Sequence, residues 1–334
     1  MNFATATEQE PHEVMWTLTN AVVASRCLHV VAELGVADDV ADEPVSAKEL
    51  AAGRGADAEA LDRALRLLAA HGVFERAGGG FRHTPASELL RSDHPMSMRA
   101  FARMMGLPVI SATFGQLEHS IRSGSPAVET IEPEGFWAYL QDNPDEAQIF
   151  GQAMTAKAAA DIAAILAAYD FGPFATIADI GGGHGHLLRA VLDGVPSAQG
   201  VLFDLPGVID AAAVEHEPLR PHAGDFFVDP LPAADAYVLM EVIHDWADAE
   251  SIAILRAIRR AATPGAKVLV IENVLTDEAP DPRGQTLDLI MLAVTGGRER
   301  TATELNGLFD RAGLSGKRVL ETAGPLRIVE AATV

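Results

Sequence analysis

The chain has 334 residues, 49% of them apolar, with a formal net charge of −22 and a single cysteine. That length accommodates about two domains of ordinary size, and the apolar share excludes wholesale disorder. The acidity works against phosphate backbones and anionic membranes as partners, and a lone Cys27 excludes an intramolecular disulfide or a CxxC zinc site, which fits a reducing cytoplasm.

The opening stretch MNFATATEQEPHE has no basic segment followed by an apolar one, so no signal peptide is expected, and the chain contains no run of about eighteen apolar residues that would predict a membrane span. From Trp16 to Leu34 apolar residues recur at helical spacing and stop at Gly35. Ser46-Ala47-Lys48-Glu49-Leu50 reads as a capping box opening a short helix. A further helix spans about Ala58 to Ala70 and stops at His71-Gly72; Val73 to Arg76, a turn at Gly78-Gly79-Gly80, and Phe81 to Thr84 then form a hairpin. Helix, helix, hairpin is the plan of a winged helix-turn-helix, assigned to residues 1–90. More helices are expected from Ala86 to about Tyr169, broken at Pro126, Pro133 and Pro144, with the Ala-rich run Ala147–Ala168 the longest. This makes residues 91–170 a helical linker that would also line an acceptor pocket, and Phe171-Gly172-Pro173 the joint to a domain at 171–334.

Beyond that joint strands and helices alternate, the pattern of a parallel α/β sheet. Strands are predicted at Thr176–Ile180, Gly200–Asp204, Ala236–Ile243 and Lys267–Asn273, and helices at Leu187–Asp193, Pro206–Val214 and Ala249–Ala262. After a helix at Thr303–Ala312, the runs Gly316–Glu321 and Leu326–Ala331 flank Gly324-Pro325 and read as an antiparallel hairpin that finishes the sheet.

The segment Asp179-Ile180-Gly181-Gly182-Gly183-His184-Gly185 joins a strand to a helix, where glycines let a ligand reach the main chain and the helix start offers free N–H groups. A dinucleotide loop needs GxGxxG, but with Gly181 and Gly183 as its first two glycines the third falls on His186, and starting at Gly183 it falls on Leu188. Asp179, two residues before the first glycine, would oppose a pyrophosphate and suit the ammonium of a methionine moiety. Phe203-Asp204-Leu205-Pro206 ends the next strand, with Asp204 placed to accept from ribose hydroxyls. Gly224-Asp225-Phe226-Phe227 follows a weak strand, where an acid can meet an adenine amino group and a ring can cover the base. Each feature alone is compatible with an ordinary loop or core residue; three at successive strand ends point to S-adenosylmethionine.

His244-Asp245-Trp246 follows the apolar run Ala236–Met240 and so sits at the C-terminal end of a strand, where open α/β sheets place their sites. Glu272 ends the next strand and Glu299 lies in Gly296-Gly297-Arg298-Glu299-Arg300-Thr301; either carboxylate could orient the imidazole. A phenol of pKa ~10 facing a histidine of ~6.5 leaves a proton-transfer gap of about 5 kcal/mol. No metal is required by this chemistry, and the acids and histidines lack metal-ligand spacing.

With Asp179–Gly185, Phe203–Pro206, Gly224–Phe227, His244–Trp246 and Glu299-Arg300-Thr301 in this order, the chain resembles the caffeic acid O-methyltransferase type of small-molecule O-methyltransferase, in the bacterial branch that decorates polyketides and other antibiotics. The resemblance covers nearly the whole chain. It implies a Rossmann-like methyltransferase sheet behind a mainly helical winged-helix dimerisation domain, a homodimer, and O-methylation of a small aromatic acceptor by S-adenosylmethionine. It implies His244 as general base flanked by Glu272 and Glu299, Asp204 at the ribose, and Asp225 with Phe226 at the adenine. Gly181, Gly183 and Leu205 belong to the same cofactor loops. Met154, in Phe150-Gly151-Gln152-Ala153-Met154, matches the family's FNxxM position beside the acceptor, and Met291 matches another pocket methionine. Phe150, Trp137, Met104 and Met105 are further candidates for the pocket, or for ordinary core. Where plant members carry a lysine four residues before the histidine, this chain has Met240; Lys157 is the candidate for the cofactor carboxylate, and Glu241 is unexpected so near the base.

Three other readings compete. A winged-helix transcription factor would read DNA with the helix around Asp57–Arg66, whose three acids and two arginines suit that poorly. A relative that binds the cofactor but hydroxylates or decarboxylates would have little use for His244. A nicotinamide-dependent dehydrogenase conflicts with the missing third glycine and with Asp179.

Overall fold

The computed structural model describes residues 10–212, 218–276 and 281–333. The expectation for the extreme N-terminus and the last two residues of the helix expected at Pro206–Val214 lie outside them. Contacts gather the chain up to Pro108 together with Gln152–Ala156 into one unit, and Val109–Gly151 with Lys157 onward into another. This differs from the division at 90 and 170. The mid-chain segment is thus not a separate unit: Val109–Gly151 and the chain from Lys157 group with the α/β part.

In the first unit α1 (Pro11–Leu34) ends at Gly35, whose left-handed φ of 67° lets its N–H cap the helix. The predicted capping box of Ser46 and Glu49 opens α2 (Ala47–Ala52), and Asp57 caps α3 (Ala58–Ala70). Strands β1 (Phe74–Ala77) and β2 (Gly80–His83) pair antiparallel. Gly80 belongs to β2, not to the turn: a Cβ there would stand 2.5 Å from the Val45 carbonyl oxygen. Leu50, Leu61, Leu65, Leu68, Phe74 and Phe81 fill the core between these elements. Helices α4 (Pro85–Glu88) and α5 (Arg99–Gly106) follow; α5 is tied to α1 by Arg26 donating to the Gly106 carbonyl at 2.9 Å and by Arg103 to Glu33 at 2.7 Å. One expectation changes here. By length and composition α1 is apolar enough to cross a membrane. Its apolar residues Met15, Trp16, Leu18, Val22, Val23 and Val30 are exposed, while Arg26 and Glu33 are bonded to α5.

The chain continues through α6 (Pro108–Gly115), α7 (Leu117–Ser123), α8 (Gly135–Asp142) and α9 (Pro144–Ala168). Pro126 and Pro133 separate helices as expected, but Pro144 occupies the first turn of α9 and starts it, since a first-turn proline lacks only an N–H that would be unpaired anyway. The α/β part then runs β3 (Thr176–Ile180), α10 (His186–Gly194), β4 (Gln199–Asp204), α11 (Pro206–Ala212), β5 (Leu219–Ala223), β6 (Ala236–Met240), α12 (Asp248–Ala261) and β7 (Lys267–Glu272). It closes with β8 (Val274–Leu275), α13 (Pro282–Val294), β9 (Arg300–Thr301), α14 (Ala302–Ala312), β10 (Ser315–Glu321) and β11 (Arg327–Ala332).

Seven strands form one sheet in the order β10-β11-β7-β6-β3-β4-β5. Strands β3 to β7 are parallel; β11 lies antiparallel to β7, and β10 antiparallel to β11, as the closing hairpin predicted. One face packs on α12 and α14 through Ile252, Leu255, Ile258, Leu305, Leu308 and Phe309. The other packs on α10 and the end of α9 through Leu187, Leu188, Val191 and Ile165. The chain steps outward from β3 through β4 to β5 and then returns to β6 beside β3. That reversal opens a crevice at the C-terminal strand ends.

Three elements differ from the sequence reading. Strand β5 has one buried residue, Leu219, because it is a sheet edge, and its pattern is correspondingly faint. Helix α13 was not anticipated, although Asp281 caps it through the Gly284 N–H and Pro282 opens it. Strand β6 ends at Met240 because Glu241, with φ 53°, turns the chain out of the sheet into a tight turn at Ile243–Asp245. Among the described residues it is the one non-glycine with positive φ.

Candidate active site

The glycine loop after β3 is shaped by contacts beneath it. Gly181, Gly183 and Gly185 all have positive φ, and a Cβ on Gly182 would stand 2.5 Å from the Asp179 Cγ and 2.6 Å from Leu202. Asp179 is therefore sealed against the underside of the loop, 2% exposed. Burial first, and Asp204 second, push its carboxyl up to about 7. Asp204 ends β4; its two oxygens accept from the Gly183 N–H at 2.8 Å and the Leu205 N–H at 2.7 Å. Burial raises this carboxyl too, against the stabilising amides. No lysine or arginine forms an ion pair with either acid among the described residues. After β5, Asp225 accepts from the Phe227 N–H at 2.8 Å, which fixes the turn that carries both phenylalanines. Phe226 also packs on the sheet core, while Phe227 is 39% exposed.

The tight turn after β6 presents His244, whose side chain is 7% exposed. Its Nδ1 lies 2.7 Å from Glu299 Oε1 and 3.4 Å from Glu272 Oε2; Nε2 is 3.9 Å from Asp245 Oδ1, beyond hydrogen-bond reach. Glu272 Oε1 accepts from the Ile243 N–H at 2.9 Å, so the same acid anchors the turn. Burial disfavours the imidazolium, but Glu272, Asp245 and Glu299 together outweigh it and raise His244 to about 10. Burial raises Glu272 to about 8 and Asp245 to about 6. One imidazole and two carboxylates offer donor atoms within 4.8 Å of one another, a set that could also hold a cation. Spacing along the chain did not foreshadow this cluster, because its three members come from three separate turns, loops and strand ends.

Glu299 reaches His244 through a clamp that sequence reasoning missed. A Cβ on Gly297 would stand 1.9 Å from the His244 carbonyl oxygen, and the Arg298 N–H donates to that oxygen at 2.8 Å. Buried Arg300 donates to the carbonyls of Ile243 at 3.1 Å and Trp246 at 2.8 Å. The Glu299 N–H is held by Asp288 of α13 at 2.8 Å. The glycine pair before Glu299 was the available signal: only a residue without a side chain lets two loops touch main chain to main chain.

Trp246 joins the remaining groups. Its ring stacks on Trp137 of α8 at 6.4 Å and meets Phe226 at 5.7 Å and Phe227 at 4.7 Å; Trp137 in turn meets Phe150 of α9 edge-on at 5.7 Å. The predicted Trp137, Phe150, Phe226 and His244 regions thus share one aromatic wall. Met291 is buried in α13. Met154 lies in the stretch Gln152–Ala156 that groups with the first unit. Lys157 of α9 is engaged in an ion pair with Glu241, which the sequence did not suggest.

Asp179, buried at the end of β3, and Asp204, half-buried at the end of β4, form no ion pair with a lysine or arginine among the described residues; they suit a ligand that brings its own positive charge, and Asp179 opposes a pyrophosphate. The fold and site therefore define an α/β transferase for a cationic nucleoside. The O-methyltransferase domain family matches residues 114–315, and the O-methyltransferase dimerisation domain matches residues 16–93. A phenazine O-methyltransferase of Lysobacter antibioticus is 41% identical over 92% of both chains. The crystal structure of human N-acetylserotonin methyltransferase with S-adenosylmethionine superposes with a TM-score of 0.90 at 29% identity, covering 98% of this chain and 99% of that one. An O-methyltransferase from neocarzinostatin biosynthesis, in complex with S-adenosylmethionine and 2-hydroxy-5-methyl naphthoic acid, superposes at 0.80 with 36% identity over 93% and 96%. The chain belongs to this O-methyltransferase family and is an S-adenosylmethionine-dependent O-methyltransferase.

Proposed function

We propose that the enzyme methylates a phenolic hydroxyl of a small aromatic natural product, with His244 as general base. The observation that carries this reading is the buried Nδ1–Glu299 pair at the end of β6, beside an aromatic wall. The phenazine and naphthoic acid in the names of the relatives support an aromatic acceptor. Asp204, with the loop of Gly181, Gly183 and Leu205 above Asp179, would hold the ribose; Asp225 and Phe226 would hold the adenine; Lys157 would meet the carboxylate. Trp137, Phe150 and Met291 would line the acceptor pocket.

S-adenosylmethionine supplies a methyl group on a sulfonium, so the protein must provide a nucleophile and its alignment. With Nδ1 donating to Glu299, the lone pair of the neutral imidazole is on Nε2, which takes the hydroxyl proton. Glu299 and Glu272 stabilise the imidazolium that forms. A base raised to about 10 closes the ordinary proton-transfer gap to a phenol of pKa ~10. The test is incubation of labelled cofactor with polyphenols and aromatic polyketides; methylation of aliphatic alcohols in preference to phenols would overturn the acceptor class.

The same shift sets the pH dependence. A raised histidine pKa keeps the resting imidazole protonated at neutral pH, so kcat/KM should climb as pH rises toward 10. Glu299→Gln removes one of the charges that raise it, so the limb should move to lower pH while the maximal rate falls. A pH–rate profile unchanged by this substitution would take Glu299 out of the dyad.

The exposed apolar face of α1 lies in the matched dimerisation domain, and a second copy of the chain is its proposed occupant. Trp16→Glu, placed at a residue 64% exposed, should convert a dimer into monomer by sedimentation without unfolding the sheet domain.

A further inference from the structure

The amino-acid end of the cofactor carries an ammonium and a carboxylate, and the acid first expected to meet the ammonium, Asp179, is sealed beneath the glycine loop. An ion pair nearby has both charges. Glu241, at the end of β6, bonds Lys157 of α9, with side chains 11% and 13% exposed. It follows Met240, the last residue of β6. Its neighbour Val242 packs under the loop: a Cβ on Gly181 would stand 3.0 Å from a Val242 methyl. Three residues on is His244. Glu241 thus sits on the short stretch of chain that joins the residue packed under the glycine loop to the turn carrying the base, and its carboxylate is close enough to His244 to feel its charge.

Backbone strain singles out the same residue. A non-glycine held at φ 53° is strained and persists where the surroundings over-determine it. The Glu241 N–H still donates to the Ile271 carbonyl at 2.9 Å, so the sheet keeps its bond while the side chain is redirected. Burial opposes the carboxylate, but Lys157, with His244 and Arg283 at longer range, outweighs it and holds the group below its usual range. Asp161 on α9 and Asp245 are the acids that face the same cluster.

We propose that Lys157 and Glu241 form a seat matched to the zwitterionic end of S-adenosylmethionine, Lys157 taking its carboxylate and Glu241 its ammonium. This rests on the placement of the nucleoside at Asp204 and Asp225. The ligand keeps each member of the pair neutralised while adding two charge-assisted bonds.

Calorimetry with two ligands tests it: S-adenosylhomocysteine, and 5′-methylthioadenosine, the same nucleoside thioether without the amino-acid end. Glu241→Gln and Lys157→Met should each weaken S-adenosylhomocysteine about 10- to 100-fold and leave methylthioadenosine within about twofold. The reversed pair, Lys157→Glu with Glu241→Lys, keeps an ion pair but inverts the seat, and should stay weak for S-adenosylhomocysteine. Equal losses for both ligands would make the pair structural and overturn the proposal. So would unchanged S-adenosylhomocysteine affinity with a raised acceptor KM, which would assign the pair to the acceptor. Failure of the wild-type protein to bind methylthioadenosine would remove the nucleoside placement, and the seat with it.

Discussion

His244→Gln should lower kcat by about 10²- to 10⁴-fold and leave S-adenosylhomocysteine affinity essentially intact. Among the described residues the imidazole Nε2 has no hydrogen-bond partner within reach, while Nδ1 is committed to Glu299. Glutamine can preserve a donor toward Glu299 but cannot take a proton. Near-normal turnover in this variant would remove His244 from its role. The substitution has a second consequence. It leaves Glu272 and Glu299, both almost wholly buried, without their cation, a change that costs about 3–5 kcal/mol for a buried pair broken on one side. Burial already raises Glu272 to about 8 in the presence of His244, which lowers it. Without His244 it rises further. Glu272 then takes up a proton in the native state and sheds its unpaired charge, whereas wild-type His244, raised to about 10, contributes stability that is full below its unfolded pKa of ~6.5 and is lost as pH rises toward 10. The variant should therefore lose more thermal stability relative to the wild type at pH 6 than at pH 9. An equal loss at both would mean that the carboxylates are not the source.

Asp204→Ala should weaken S-adenosylmethionine about 100-fold or more by calorimetry, with kcat at saturating cofactor changed far less. Two effects combine. The carboxylate that would accept from the ribose hydroxyls disappears, and so do its bonds to the Gly183 and Leu205 amides that shape the loop around the nucleoside. Asp204→Asn keeps one oxygen and one of those bonds, so its loss should be intermediate. If Ala and Asn were equal, the charge and not the loop geometry would account for the affinity. If neither changed affinity, the ribose assignment would fail.

Much of the fold is legible because its signals are local. The Ser46–Glu49 capping box, the stop at Gly35 and the hairpin around Gly78-Gly79 are settled within a few residues of chain. The alternation after Thr176 likewise reports a parallel sheet, since strands buried on both faces must be apolar throughout. Strand β5 was faint because an edge strand needs little burial. Helix α13 carries polar residues among its apolar ones, and its Asp281 cap is a short signal.

The glycine loop, Asp204, Asp225 and His244 could be placed from the sequence because strand ends in an open α/β sheet fall at one edge by topology alone. That chemistry was set by residue type and order: an acid, Asp179, before the loop, and His186 or Leu188 where a dinucleotide loop needs its third glycine. Contacts between distant segments were decided only by the tertiary structure. The clamp of Gly297 and Arg300 that brings Glu299 to His244 joins loops more than fifty residues apart. The ion pair of Lys157 with Glu241 spans eighty-four, and depends on a left-handed residue that ends β6 early. Spacing along a chain carries no record of such meetings, because they arise from how the sheet stacks its strand ends. The basicity of His244 is decided largely in the same way, by Glu272 and Glu299, which converge on it from a distant strand end and a distant loop and join its neighbour Asp245.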